Sequence, residues 1–181
     1  MKKTLFLLPA LITLGLTACA PTEVTSSPDE QPATAPQTQE TQGKQAKIGD
    51  TITLKGSESE LKLAVTVVKF AQSAKSKDEY SGPEPGERFA AVQITLKNVG
   101  SIAYDDSPDN GAKLIDDEDQ QYDAGLGEVA LGPSLGSVRL APGSTRKGYM
   151  VFSVPKDAKI SKFQFTLDSG FAPQSGEWLL K

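Results

Sequence analysis

From Thr51 onward, apolar and polar residues take turns along much of the chain. Thr51-Ile52-Thr53-Leu54 alternates, and Leu61, Leu63, Val65 and Val67 share one face of a longer run. A period of two predicts strands resting on a core. In the next run Ala90, Val92, Ile94 and Leu96 point one way, and Ala91, Gln93, Thr95 and Lys97 point the other. Asn98-Val99-Gly100 then reads as a turn. Lys113-Leu114-Ile115 and Gln120-Gln121-Tyr122 flank the acidic tip Asp116-Asp117-Glu118-Asp119, which predicts a hairpin. Further strands are expected over Lys147 to Val154 and over Lys162 to Leu167, where Phe163, Phe165 and Leu167 share a face, with Glu177 to Leu180 closing a sheet. No helix is expected. Ser76-Lys77-Asp78-Glu79 has capping-box spacing, but Tyr80-Ser81-Gly82-Pro83 follows where an apolar helical stripe is needed.

Seven to eight strands separated by turn signals predict an all-β protein of two antiparallel sheets packed face to face, an immunoglobulin-like β-sandwich without its usual disulfide. Residues 48–181 are long enough for one such domain and short for two. Pro142-Gly143 suits a type II turn, because proline presets the first φ and glycine accepts a positive second one. Pro155 ends a strand, lacking the amide a ladder needs. The order Ile48-Gly49-Asp50-Thr51, then Arg88 to Asn98, then Ala141-Pro142-Gly143-Ser144 leading into Lys147 to Pro155, resembles the immunoglobulin-like extracellular domain of bacterial lipoproteins, a family of unknown function. That family is similar in fold to a mycobacterial secreted immunoprotective antigen. The resemblance implies a sandwich and no catalytic residues. Two stretches depart from it: a polar insertion from Gln72 to Glu87 and a glycine-rich one from Ala124 to Ser137.

The pattern changes completely before residue 48. Lys2 and Lys3, the apolar run Leu5 to Leu14, and Leu16-Thr17-Ala18-Cys19 form a signal peptide over residues 1–18. The run is short of the roughly 20 apolar residues a spanning helix needs. Its end resembles the lipobox of bacterial lipoproteins, which implies cleavage before Cys19 and lipidation of the Cys19 thiol, hence a membrane partner and an extracytoplasmic domain on a cell or outer membrane. Residues 20–47 alternate Pro21, Pro28, Pro32 and Pro36 with threonine and glutamine, too few apolar groups to offset the entropy of ordering. Residues 19–47 therefore read as a lipidated cysteine followed by a disordered tether, with a reach of ~30 Å as a coil and up to ~85 Å extended.

Cys19 is the single cysteine, so the mature chain has no disulfide and no redox pair. Cleavage removes two lysines and leaves 17 basic against 23 acidic residues, a net charge of −6. That excess argues against nucleic acid and against an electrostatic grip on anionic lipid.

Catalysis has few means here. The chain has no histidine, so Gly132-Pro133-Ser134-Leu135-Gly136, which matches a nucleophile elbow in letters, lacks both a base and the strand-to-helix turn. Ser59-x-x-Lys62, Ser144-x-x-Lys147 and Ser153-x-x-Lys156 recur on expected strands, where residues three apart face opposite ways. Of the soft-metal ligands the mature chain, its Cys19 thiol lipidated, offers only Met150. Oxygen ligands are plentiful, with eight acids between Asp105 and Asp123, so calcium is the ion to consider. An EF-hand count from Asp117 puts Tyr122 where glycine is required, and the same charges suit solvated turns and sheet edges. Tyr80 and Tyr104 mark loops suited to binding, while Tyr104 and Trp178 suit core lids equally well. The expected protein is a non-enzymatic, cofactor-free binding or envelope-interaction module that meets a protein or an envelope polymer. Two other readings stay open: a calcium-stabilised adhesion module, and a hydrolase or its subunit using carboxylates such as Asp105 with Asp116.

Overall fold

The structure is a computed structural model that describes residues 45–181 and the backbone of Val24–Thr25. It is an all-β sandwich of the immunoglobulin-like kind. The first sheet has the order β1 (Val24–Thr25), β3 (Thr51–Lys55), β4 (Lys62–Ala74), β5 (Glu87–Asn98), β10 (Thr145–Pro155). The second has the order β2 (Ala46–Lys47), β12 (Ser175–Leu179), β11 (Ile160–Thr166), β7 (Ala112–Asp116), β8 (Gln121–Asp123). A two-stranded ribbon, β6 (Tyr104–Asp106) with β9 (Val138–Leu140), closes one side. Among the described residues the strand pairings are antiparallel except β2 with β12, and an isolated bridge between Ser134 and Tyr149 is parallel as well. Among the described residues the helical content is two short 3-10 turns, Pro108–Gly111 and Asp168–Gly170.

Alternation builds the core as the pattern predicts. Ile52, Leu54, Leu63, Val65, Val67, Val92, Ile94 and Leu96 face inward from the first sheet and meet Leu114, Phe163, Phe165 and Trp178 from the second. Phe163 sits at the aromatic centre, edge-on to Phe152 at 6.4 Å and tilted against Trp178 at 5.8 Å. Such apolar burial is the main driving force for a chain with no disulfide.

Three differences from the sequence expectation have local causes. Strands β1, β2, β6 and β9 were not foreseen, because two or three residues cannot display a period. Ala46, on the tether side of the expected start at Ile48, is buried and pairs with Trp178. Ala91, assigned to the polar face of its strand, is buried too, because the opposite side of the sheet is covered at that end.

Turns behave as their residues dictate. Gly143 has φ +82° and the Ser144 amide donates to the Ala141 carbonyl at 2.9 Å, closing the Pro142-Gly143 turn. At Gly100 any Cβ would lie 2.2 Å from the Glu60 carbonyl oxygen, so only glycine fits. The neighbouring Asn98 side chain is fully buried; its Nδ2 donates to the carbonyls of Ile102 (2.8 Å) and Leu140 (2.9 Å), and its Oδ1 accepts from the Gly100 amide.

Candidate functional site

The two stretches that depart from the plain sandwich find each other. Beyond β4 the chain Lys75–Lys77 runs beside Glu128–Ala130: the Lys77 amide donates to the Glu128 carbonyl at 2.9 Å and the Ala130 amide to the Lys75 carbonyl at 3.0 Å. The Lys77 ammonium reaches the Glu128 carboxylate at 2.6 Å, a contact that holds the lysine pKa up. Asp78 folds the tip by accepting from the amides of Tyr80 (2.9 Å) and Ser81 (2.8 Å), and those bonds hold its carboxyl below the usual range. The residues that spell a capping box therefore make a short bridge and an Asx-type turn.

This pair of loops forms an annex on the outer face of the first sheet. Val129 covers Phe89, Ala91, Tyr149 and Val151, a small apolar cluster separate from the main core, with Ala71 and Ala74 packed against it. The glycine-rich strand of the annex is fastened along the free edge of β10. Tyr149 donates its amide to Pro133 and accepts from Leu135, and the Gly125 amide donates to Val151. Leu135 itself is fully buried in the main core, over Gly148, where a Cβ would lie 2.5 Å from the Leu135 Cα. The elbow-like Gly132–Gly136 segment is thus an edge strap with an apolar plug, and no helix follows it.

Beside its charged residues the annex presents three large apolar side chains outward. Tyr80 is 91% exposed, Leu126 fully exposed and Leu131 about half exposed. Two shallow depressions lie beside them, one of about 390 Å³ lined by Lys77, Val129, Ala130, Gly132 and Pro133, the other of about 320 Å³ between the Asp78–Gly82 and Leu126–Glu128 segments. Sequence reasoning found Tyr80 but missed Leu126 and Leu131. The available signal was an aliphatic residue set between glycines in a polar stretch, Gly125-Leu126-Gly127.

The other aromatics serve the fold. Tyr104, expected on a binding loop as readily as in the core, is buried; its hydroxyl donates to Asp106 at 3.0 Å, and burial together with that carboxylate drives its pKa far above the ordinary value. Trp178 is fully buried, with Nε1 donating to the Asp50 carbonyl. Tyr122 donates to Asp116 at 2.7 Å, which pushes its own pKa up to about 12.

The acids are likewise spent on turns. Asp116 accepts from the Tyr122 hydroxyl and from the amides of Gln120 and Glu118, so its carboxyl stays below the usual range. Asp106 accepts from the hydroxyl (2.6 Å) and amide (2.8 Å) of Ser169 and from the amide of Ser107. Burial raises its pKa, but these donors outweigh burial and hold it low. The bonds fix an unusual backbone, since Asp168, Ser169 and Gly170 have φ of 54°, 53° and 93° in succession. Left-handed conformations cost non-glycine residues on the order of 1 kcal/mol or more each, so the strain needs such a clamp. Asp105 belongs to the ribbon and faces Arg139 at 3.6 Å, whereas Asp116 ends a strand of the second sheet, so the two carboxylates proposed as a pair serve different partners. Among the described residues no three acidic side chains converge to hold a metal ion. No described helix is long and apolar enough to cross a membrane. Cys19, the signal peptide and most of the tether lie outside the described residues.

A strand-only sandwich with an edge-strapped annex defines the class, an extended immunoglobulin-like domain. Residues 37–174 match the family described as Domain of unknown function (DUF4352), and the chain belongs to that family. Among solved structures it is similar to MPT63, a secreted protein from Mycobacterium tuberculosis, with 10% identity, a TM-score of 0.53 and coverage of 75% of this chain and 95% of the other. It is similar also to ycdA, a candidate lipoprotein from Bacillus subtilis, with 18% identity, a TM-score of 0.50 and coverage of 70% of this chain. The match spans 37% of the ycdA chain. No curated protein matches.

Proposed function

We propose that this protein is a lipoprotein anchored through Cys19, whose extracytoplasmic sandwich binds a protein of the cell envelope through its annex and performs no catalysis. The observation that carries the reading is the annex. Two loops outside the plain sandwich are joined by backbone hydrogen bonds, supported by their own apolar cluster, and tipped with Tyr80 and Leu126 in full contact with solvent. Tyrosine is a favoured anchor of protein recognition, and exposed aliphatic neighbours extend the apolar contact around it. The anchor is supported by Leu16-Thr17-Ala18-Cys19 behind a basic and apolar leader, and the absence of histidine from the chain supports the non-catalytic part.

Two measurements test it. The Cys19→Ser protein should leave the detergent phase of a partition experiment that retains the parent. A photo-crosslinking residue placed at position 80 or 126 of the anchored protein should trap one discrete protein adduct on intact cells, and the same residue at Lys113 or Glu177 of the second sheet should trap none. Equal trapping at all four positions would count against an annex interface.

A further inference from the structure

The other half of the same sheet face carries charge. Residues that alternate with the buried ones point outward in aligned rows: Thr51, Thr66, Thr95 and Lys147 form one; Thr53, Ala64, Lys97 and Thr145 the next; Lys55 and Lys62 the last. Lys55, Lys62, Lys97 and Lys147 thus run as a diagonal stripe across four neighbouring strands, and no acid stands in these rows. Lys55 is directly opposite Lys62 in register, an arrangement that costs stability in a sheet. Glu58 and Glu60 lie at the hairpin tip between Lys55 and Lys62, and the Ser59 hydroxyl, with a smaller contribution from Lys62, holds the Glu60 carboxyl below its ordinary pKa. The ion pairs among the described residues lie elsewhere, and the second sheet intermixes its charges as Lys113 with Asp123 (2.5 Å) and Lys162 with Asp119 (3.6 Å).

We propose that this lysine stripe rests on the anionic headgroups of the bilayer that holds the lipid on Cys19. The claim rests on the lipidation reading above and adds an orientation to it. What selects a bilayer is the position of β1: Val24 and Thr25 pair with Ile52 and Thr51 on the edge of β3, beside the stripe. Val24 is five positions beyond Cys19, with four residues between them, a reach of at most about 17 Å. With β1 paired to β3, the covalent distance from the sheet edge to Cys19 is that short span. The net charge of −6 opposes such contact only if charge is evenly spread. It is not, since Asp78, Glu79, Glu84 and Glu128 belong to the annex at the opposite end of the strands. Along β5, Lys97 stands six residues, roughly 20 Å, from the covered Ala91, beyond the ~8 Å over which physiological salt screens charge, while Lys147, two residues from Tyr149 on β10, marks the border with the annex. The lysine end then faces the headgroups and the annex is held away from them.

The lipidated mature protein is reconstituted into vesicles of phosphatidylcholine alone, or of phosphatidylcholine and phosphatidylglycerol in equal parts, floated, and labelled with a water-soluble amine-acetylating reagent. Acetylation of Lys55, Lys62, Lys97 and Lys147 should be slower by at least about fivefold on the anionic vesicles, the effect expected from one lysine's attraction to such a surface. Lys113 and Lys162 should label equally on both. The protection should vanish at about 1 M salt and in the Lys97→Glu, Lys147→Glu double variant, read at Lys55 and Lys62. Equal labelling of the stripe on both vesicles overturns the proposal. So does protection that appears only when a soluble polyanion is added to neutral vesicles, which would assign the stripe to an anionic polymer. A protein lacking the lipid fails to float with either vesicle, and that failure concerns the anchor alone.

Discussion

The outer face of the first sheet is divided between two solutions to the same problem. At the end formed by Phe89, Ala91, Tyr149 and Val151 the side chains are apolar, and the chain spends two loops to cover them. At the other end, four residues on along β5 and two along β10, the outward positions are mostly threonine and lysine with no cover over them. The strands, their pairing and the core beneath are continuous across both halves. The difference lies only in which residue type occupies the outward half of the alternation, which shows how one sheet can carry a covered, apolar end and an uncovered, charged end at no change in fold. The covered half should be coupled to global stability, and the open half should be nearly silent in it.

The coupling is tested most severely at Leu135, which belongs to the annex strap yet is buried in the main core. Leu135→Ala removes a fully buried side chain beside Gly148, and the expected loss is about 3–4 kcal/mol in chemical denaturation. Hydrogen exchange at the Gly125, Leu135 and Tyr149 amides should rise with it. A loss confined to those amides, with the global midpoint unchanged, would show that the annex is an independent appendage. Asn98→Ala should follow at about 2–3 kcal/mol. It removes the two Nδ2 bonds to the carbonyls of Ile102 and Leu140 and one of the two acceptors of the Gly100 amide, which keeps the Lys62 carbonyl, so that at the lysine end the stability resides in the buried hub under the face.

The main strands could be read in advance because period-two alternation over five or more residues has one physical meaning, and Leu63, Val65 and Val67 or Phe163 and Phe165 point inward as that meaning requires. Pro142-Gly143 was readable for the same kind of reason, a fixed φ next to a permissive one. The annex was not. Its strap pairs through backbone groups, which every residue carries, and its glycines and prolines look like ordinary loop composition. Ala91 shows the limit most clearly: its alternation was right and its exposure was wrong, because what covers a face is decided by residues some forty positions away. The lysine stripe was present in the alternation of Thr95 and Lys97, yet invisible in net charge, which adds up groups that the fold then separates.

Acid should act on the ribbon end before the core. Asp106 is held below its ordinary pKa in the folded state by Ser169, Ser107 and Tyr104, so its contribution is complete above the unfolded carboxyl value of about 3.9 and is lost as pH falls through the lower folded value. Asp116 has the same sign. Asp109 has the opposite one, since burial alone raises its pKa and the folded state favours its protonated form. Asp106→Asn should flatten the acid limb of a stability-against-pH curve, and Asp109→Asn should leave that limb in place. An unaltered acid limb in Asp106→Asn would mean that the strained Asp168–Gly170 turn is held by packing rather than by the carboxylate.

The smallest effect is expected where the comparison began, on the open half of the face. Lys97→Ala and Thr53→Ala touch neither core nor annex, and each should change stability by less than about 0.5 kcal/mol. Relief of the opposed Lys55 and Lys62 gives this expectation a sign: Lys55→Ala should be neutral or stabilising, and more so at low salt, where like charges are screened least. A destabilisation above 1 kcal/mol on the order of a buried hydrogen bond would mean that the lysine stems pack down onto the threonine rows. The open half would then be a structural surface, and its charges would be incidental to what the aliphatic stems cover.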